Sequence, residues 1–540
     1  MRMKRNVFFL FFVICSLVAN AQTDEEDKIK WVDNTPDSIA KARTARPVSG
    51  SSRKGDNPVL FLIGNSTMRT GTLGNGNNGQ WGWGYFAREY FDEEKITVEN
   101  HALGGMSTRT FYNQLWKEAI SGVRQGDWVI IEIGHNDGGP LDEGRARNTL
   151  QGIGNDSVVV TIKETGVVET VYSYGGYLRK YIADVKSKGA TPILMSLTPR
   201  NEWKDGKIVR KTRSDWAKQV AEQEQVPYVD LCAITSAKYE KFGPEKVNYM
   251  FYIDKIHTSA FGARVNCESA VEGIRACQGL ELANYLKPVE PDTITGKTRK
   301  KGRSVVFLIG DSTVKNKDND DNGMWGWGSL FGQLFNEKKV SVENHAKAGR
   351  SSRTFLDEGR WDKVYNALHP GDYVIMQFGH NDGGDINIGK ARASLRGNTD
   401  ESKVFLMEKD KKYQVIYSYG WYLRKFINDC KEKGATPIVL SHTPRNKWNT
   451  DSTVVERCNT TYGLWAKEAA EQTGAYFIDL NEISAKKIEA IGKDGVSQLF
   501  KNDHTHTSKQ GAKMNALSVA EGLKNSNCDL RKALKRKLKL

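Results

Sequence analysis

The sequence predicts an α/β protein made of two tandem domains, each built on a parallel sheet. Three observations carry this. The chain repeats itself at a spacing of 244–249 residues, a period that means two whole domains rather than a solenoid of small units. Each copy holds short apolar runs rich in branched residues, as buried parallel strands require. These runs alternate with helical stretches, the order of a doubly wound sheet.

The repeat is legible residue by residue. Val59–Thr67 matches Val305–Thr313, and Trp81-Gly-Trp-Gly84 matches Trp325-Gly-Trp-Gly328. Asn100–Phe111 matches Asn344–Phe355. Gly134-His-Asn-Asp-Gly-Gly139 recurs unchanged as Gly379–Gly384, and Gly189–Ile193 recurs as Gly434–Ile438. The expected strands are Val59–Ile63, Trp128–Ile133, Pro192–Leu197 and Tyr228–Leu231, then Val305–Ile309, Tyr373–Phe378, Pro437–Ser441 and Tyr476–Leu480. Gly176–Lys188 and Gly420–Lys433 are expected helices between them.

Composition agrees with large packed cores. The chain has 540 residues, 39% of them apolar, with 20 Phe, 20 Tyr and 13 Trp, which excludes a disordered or collagen-like chain. Residues 1–21 hold the one long apolar run, so a membrane channel is excluded. Arg2, Lys4 and Arg5 precede that run, and Ala19-Asn20-Ala21 ends it in small residues, the pattern of a secretory signal cleaved before Gln22. The apolar core is too short to span a bilayer comfortably. Ile14 before Cys15 argues against a lipoprotein. The protein is therefore expected to be exported, periplasmic or extracellular, with no membrane insertion. Residues 22–56 read as a polar N-terminal extension, 57–287 as the first domain, 288–303 as a basic, solvated linker, 304–530 as the second domain and 531–540 as a basic tail that frays.

The formal charge is +14, a surface suited to nucleic acid, anionic lipid or an acidic polysaccharide. No zinc-finger spacing or other nucleic-acid signature accompanies it, and no obligate protein partner is evident. Six cysteines follow the signal: Cys232, Cys267, Cys277, Cys430, Cys458 and Cys528. They show no metal spacing and are too sparse for a disulfide scaffold. Cys267/Cys277 and Cys430/Cys458 are the pairs considered for a bridge.

Ser66 and Ser312 follow the first strand of each half, where a strand-to-loop corner presents a hydroxyl at the carboxyl edge of the sheet. Alone, such a serine more often caps a helix. Near the end of each half stands Asp-x-x-His, Asp254/His257 and Asp503/His506, followed by Ser259 or Ser508 as a helix cap. A serine hydroxyl needs a base, and a carboxylate on the other imidazole nitrogen fixes the tautomer. Asp503-His504-Thr505-His506 also offers metal ligands, but Lys255 replaces His504 in the first half, so only the triad reading works in both. Asn136 and Asn381, and the glycines Gly105 and Gly349, supply donors for a tetrahedral oxyanion.

The ordered set Ser, Gly, Asn and His resembles the four blocks of the SGNH hydrolase superfamily. Within it, Gly-Asp-Ser-Thr, the Gly-Arg-Ser-Ser-Arg block, Gly-His-Asn-Asp-Gly-Gly and Asp-x-x-His-Thr resemble rhamnogalacturonan acetylesterases. The resemblance covers both halves nearly end to end. It implies a flavodoxin-like α/β/α fold and serine-esterase removal of acetyl groups from pectic rhamnogalacturonan, without metal or organic cofactor. Carried over, it makes Ser66 and Ser312 nucleophiles, His257 and His506 bases, Asp254 and Asp503 their orienters, and Gly105/Asn136 and Gly349/Asn381 the oxyanion holes. One position departs: the family's Gly-Asp-Ser is Gly64-Asn65-Ser66 in the first half, whereas the second keeps Asp311.

Other repeated residues point to a glycan surface. Arg109 and Arg353 suit a uronate carboxylate or a structural role; Trp81, Trp83, Trp325 and Trp327 suit sugar stacking or core packing. The expected substrate is an acetylated acidic polysaccharide. Alternatives are an acetylated glycan such as xylan, or a first half that acts as a carbohydrate-binding module. A lipid substrate is disfavoured, since no long apolar lid segment occurs.

Overall fold

The computed structural model describes residues 45–540 apart from 77, 253, 290–291, 318–321, 452 and 502. The expected signal and most of the N-terminal extension lie outside the described residues.

The first half contains β1 (Val59–Gly64), β2 (Thr97–Asn100), β3 (Trp128–Glu132), the hairpin β4 (Ser157–Thr161) and β5 (Val168–Tyr172), β6 (Thr191–Met195), the short hairpin β7 (Trp203–Lys204) and β8 (Lys207–Ile208), and β9 (Tyr228–Val229). The second contains β10 (Ser304–Gly310), β11 (Val340–Asn344), β12 (Tyr373–Gln377), the hairpin β13 (Ser402–Leu406) and β14 (Tyr413–Tyr417), β15 (Thr436–Leu440) and β16 (Tyr476–Ile478). The two main sheets run β2-β1-β3-β6-β9 and β11-β10-β12-β15-β16. Every pairing within them is parallel. This is the flavodoxin-like order, whose switch point lies between the first and third strands.

Each central strand is apolar on both faces because helices cover both. Leu60 and Leu62 pack with Ala263, Ala270 and Ile274 of the Ala260–Ala276 helix, while Phe61 and Ile63 face Leu178 and Ile182 of the Tyr174–Ser187 helix. In the second half Val306 and Leu308 meet Ala512, Ala516 and Val519; Phe307 and Ile309 meet Leu423 and Phe426. Ser173 and Ser418 begin the helices of the second layer by accepting from the N–H of Gly176 and Trp421, at 2.9 and 3.1 Å.

The sequence missed the edge strands β2 and β11, which are short and partly polar, and the hairpins β4–β5 and β13–β14, which lie outside the layered core. It also read two segments as looser than they are. Gly50 and Ser52 donate their backbone N–H groups to Glu99 at 2.9 and 2.8 Å, and Arg53 pairs with buried Asp127. In the basic run before the second domain, Gly296 and Thr298 donate to Glu343, both at 2.8 Å, and Arg299 pairs with Asp372. The C-terminal segment returns to the fold through a β-bridge between Phe335 and Leu534, with Leu538 and Leu540 packed on the core. All six cysteines after the signal are free thiols, five of them buried, so neither considered bridge forms.

The halves meet head to tail. Val415, Tyr417, Trp421 and Tyr422 of the second half join the apolar cluster that contains Trp81 and Phe86 of the first. Tyr249 and Trp421 meet edge to face with ring centroids 5.5 Å apart. Lys246 reaches across to Asp429 and Glu432, all three buried. A cleft of about 560 Å³ lies along this junction, lined by Tyr85, Arg264, Asp362 and Lys412 among others, and away from both serines.

Candidate active site

The carboxyl ends of β1 and β10 deliver Ser66 and Ser312 to the switch point. The Asp-x-x-His loops come to meet them because their next residue is bonded to the tryptophan motif. Trp81 N donates to Thr258 O at 2.9 Å and Thr258 Oγ1 returns a bond to Trp81 O at 2.8 Å. Trp325 and Thr507 repeat the pair at 2.8 and 2.7 Å. Ser259 and Ser508 then cap the last long helix of each half, as expected.

The result is a hydrogen-bonded series in each half. Ser66 Oγ lies 2.8 Å from His257 Nε2, and His257 Nδ1 lies 2.8 Å from Asp254 Oδ2. In the second half the separations are 2.9 Å for Ser312 and His506, and 2.6 Å for His506 and Asp503. An ionised carboxylate only accepts, so it holds the imidazole proton on Nδ1 and leaves Nε2 to accept from the serine. Asp254 is itself fixed by the N–H groups of Ile256 and His257, at 2.7 and 2.8 Å; Asp503 is fixed likewise by Thr505 and His506. Burial pushes both carboxyls up, but the histidine and backbone bonds outweigh it and hold them below the usual carboxylate value. Burial pushes His257 below its ordinary value, against the pull of Asp254.

The donor loops lie alongside. Gly105 and Gly349 have φ of +78° and +77°, the left-handed region that favours glycine. A Cβ on neighbouring Gly104 would stand 3.8 Å from that of Ser66. Asn136 Nδ2 donates to Met106 O at 3.0 Å, and Asn381 Nδ2 to Arg350 O at 3.1 Å, so each amide is locked to its glycine loop with one N–H to spare. The following aspartates, whose role sequence reasoning missed, fasten the helix beyond that loop. Asp137 accepts from Thr108 N at 2.9 Å and Asp382 from Ser352 N at 3.0 Å.

Two groups of expected residues divide. Trp83 and Trp327 are buried and donate their indole N–H to Glu132 and Gln377, whereas Trp325 stays partly exposed beneath Lys509. Arg109 and Arg353 are not on a glycan surface. They are 0% and 1% exposed. Arg109 donates to Glu169, Leu141 O and Asn148 O; Arg353 donates to Ile386 O, Ala393 O and Gln414. A guanidinium so enclosed and so partnered cannot meet a polymer.

The Asn65 departure has a counterpart the sequence reading overlooked. Asn65 Oδ1 accepts from Thr67 N and Oγ1 at 3.0 and 2.9 Å, as Asp311 Oδ1 does from Thr313 at 2.9 and 2.7 Å. Each threonine hydroxyl continues to the end of the third strand, to Glu132 in the first half and Gln377 in the second. Each half therefore holds one carboxyl and one amide, at exchanged positions. Burial raises Glu132 to about 7 and Asp311 to about 6. Reading 65/311 and 132/377 side by side in the repeat would have revealed the exchange.

Among the described residues no group of three His, Cys, Asp or Glu is placed to hold a metal ion. Asp503 and His506 are instead bonded to each other, and His504 stands exposed beside them. No helix among the described residues is long and apolar enough to cross a membrane.

A parallel α/β sheet with serine, histidine and aspartate bonded in series at its carboxyl edge is the framework of a hydrolase. The profile of the GDSL-like lipase/acylhydrolase family matches residues 62–265 and again 308–514, so the chain belongs to that family, as a tandem duplication of its domain, and is a hydrolase of ester bonds. Rhamnogalacturonan acetylesterase from Emericella nidulans is 30% identical over 207 residues, which cover 38% of this chain and 79% of that protein. A rhamnogalacturonan acetylesterase from Bacillus subtilis is 30% identical over 240 residues, covering 42% of this chain and 92% of that protein.

Proposed function

We propose that this chain is an exported serine carbohydrate esterase that removes acetyl groups from rhamnogalacturonan-type pectic polysaccharide, with an equivalent site in each half. The observation that carries the reading is the Ser–His–Asp series, repeated beside a glycine loop and an asparagine amide. Kinship with named rhamnogalacturonan acetylesterases supports the substrate class, and the Met1–Ala21 pattern supports export.

In this reading Ser66 or Ser312 Oγ adds to the acetyl carbonyl carbon while His257 or His506 Nε2 takes the hydroxyl proton. The oxyanion forms facing the N–H of the serine, the N–H of Gly105 or Gly349, and the spare amide N–H of Asn136 or Asn381. Collapse breaks the bond to the sugar oxygen, which takes the proton from the imidazolium and leaves. Water, deprotonated by the same histidine, then attacks the acetyl-serine; acetate departs and the serine recovers its proton. Asp254 and Asp503 keep their charge throughout and stabilise the imidazolium.

The test is acetate release from acetylated rhamnogalacturonan by the full chain and by S66A, S312A and the double variant. Either single variant retains activity, and the double variant falls by on the order of 10⁶ in kcat. A double variant that stays active refutes the serine mechanism. Release from acetylated xylan in place of rhamnogalacturonan refutes the substrate class. A first half that binds polymer in the S312A variant yet releases nothing makes that half a binding module.

A further inference from the structure

With Arg109 and Arg353 sealed in the interior, the recognition of an acidic sugar needs another cation. Their buried side chains show where it lies. Arg109 Nη1 clamps both ends of one loop, Leu141 O at 2.8 Å and Asn148 O at 3.1 Å. Arg353 Nη1 does the same to Ile386 O at 2.9 Å and Ala393 O at 2.7 Å. The clamped loops diverge in sequence, Asp142-Glu143-Gly144-Arg145 against Asn387-Ile388-Gly389-Lys390, but both end in Ala-Arg: Ala146-Arg147 and Ala391-Arg392.

Both alanines are left-handed, with φ of +41° and +46°. That conformation is unfavourable for a residue with a Cβ and clusters where a backbone is held for function. In each half its effect is to turn the next arginine onto the glycine loop. Arg147 Nη1 stands 3.5 Å from Gly105 O, and Arg392 Nη1 stands 3.1 Å from Gly349 O.

Several other arginines withdrawn from water are ion-paired, Arg53 with Asp127, Arg179 with Glu224, Arg210 with Asp230 and Arg299 with Asp372, though Arg69, buried near Arg46, has no ion pair among the described residues. Among the described residues Arg147 and Arg392 make no ion pair, and each gives one bond to a carbonyl. Burial lowers both below the usual guanidinium value and outweighs the pull of the nearby carboxyls, Asp137 on Arg147 and Asp311 and Asp382 on Arg392, none of which is in contact with its arginine. The remaining donors are a planar fork that matches a carboxylate.

We propose that Arg147 and Arg392 form a carboxylate-binding subsite in each half, which takes the uronate group of an acetylated acidic sugar. A uronic acid carries its carboxylate and its acetylated hydroxyls on one ring. A clamp bonded to the oxyanion glycine therefore orients the ester as it binds the charge. In the first half Arg145 shares the contact, its Nη2 lying 3.4 Å from Gly105 O, and exposed Lys390 stands at the matching position in the second. The inference deepens the proposed function and rests on it.

The experiment uses the full chain, with S312A to isolate the first site and S66A to isolate the second. Hydrolysis of 4-nitrophenyl acetate is the readout, with an oligogalacturonate and its carboxyl-reduced counterpart as competing ligands. The charged oligomer inhibits more strongly than the reduced one, and R147Q or R392Q raises its inhibition constant at least tenfold while leaving that of the reduced oligomer within twofold. R147K and R392K keep the charge without the fork and fall between; they also serve if a Gln variant fails to fold by circular dichroism. Equal inhibition by the two oligomers overturns the proposal, as does an Arg variant that shifts both constants alike, the mark of a merely structural loop. Acetate release from acetylated rhamnogalacturonan is read in parallel. Its absence in an enzyme that still prefers the charged oligomer refutes the substrate reading while the subsite stands.

Discussion

Replacing Glu132 with Gln gives the first half the amide that the second half already carries at Gln377, and it should make stability cross over with pH. Glu132 is wholly buried, accepts from Thr198 N at 3.2 Å and Trp83 Nε1 at 3.3 Å, and lies 3.2 Å from Thr67 Oγ1, whose proton is shared with nearer Asn65 Oδ1. Burial still wins, so the folded state raises the carboxyl from 4.5 to about 7 and favours its protonated form. The contribution is therefore complete below about pH 4.5 and is lost as pH rises through 7. That rise amounts to about 3 kcal/mol lost by pH 8. Gln removes this loss but has one acceptor oxygen where the carboxylate has two. One of the Thr198 and Trp83 donors then goes unmet, at about 1 kcal/mol. The E132Q chain should be more stable than wild type by about 2 kcal/mol at pH 8, and less stable by about 1 kcal/mol at pH 4, with the crossover near pH 5. Urea unfolding of the full chain at both pH values, followed by tryptophan fluorescence, measures the difference. An offset with the same sign and size at both pH values would refute the buried-carboxyl argument.

Two further outcomes follow from the geometry. Because burial lowers His257 from 6.5 and the base must be neutral, the S312A chain should lose kcat/KM only as pH falls below 6.5; a pH–rate profile whose acid limb lies above that value contradicts the assignment. Lys246→Met would leave Glu432 beside Asp429 with only Lys425, on Asp429, as a remaining cation, costing on the order of 3 kcal/mol. Urea midpoints unchanged by that substitution would mean that the cross-domain ion pair contributes nothing to the junction.

The central strands and the triad were legible because each is written in side chains. Val59–Ile63 and Val305–Ile309 are apolar at every position, since both faces of the sheet are covered. Ser66, Asp254 and His257 recur as Ser312, Asp503 and His506, with threonine after each serine and Thr-Ser after each histidine. What escaped depends on backbone groups or on depth. Glu99 and Glu343 are satisfied by main-chain N–H groups of Gly50, Ser52, Gly296 and Thr298, which no residue code displays, so the preceding segments read as loose. Arg109 and Arg147 are the same letter in the sequence. One is enclosed by Leu141 O, Asn148 O and Glu169, the other lies at the glycine loop, and only packing separates a structural guanidinium from one free to meet an anion.

The faces through which the halves join have diverged between the two copies. A head-to-tail contact between similar domains is heterologous, and unless its rotation closes it can be repeated without end. The second half offers the hairpin β13–β14 to a face of the first that carries Trp81, Tyr85, Phe86 and Phe261. The hairpin β4–β5 of the first half is the equivalent donor, and no described residue covers it: Val159 and Val168 are 65% and 66% exposed. The equivalent receiving face of the second half has changed. Ser329 stands for Tyr85, Leu330 for Phe86, Lys509 for Ala260 and Gln510 for Phe261. Lys509 and Gln510 make that face polar where the first half's is apolar, so the two faces are not interchangeable as receivers of an apolar hairpin. The change that keeps the second face soluble also leaves its site the more open of the two: the His506 side chain is 26% exposed against 9% for His257. Two sites with the same Ser–His–Asp geometry thus differ in their access to solvent.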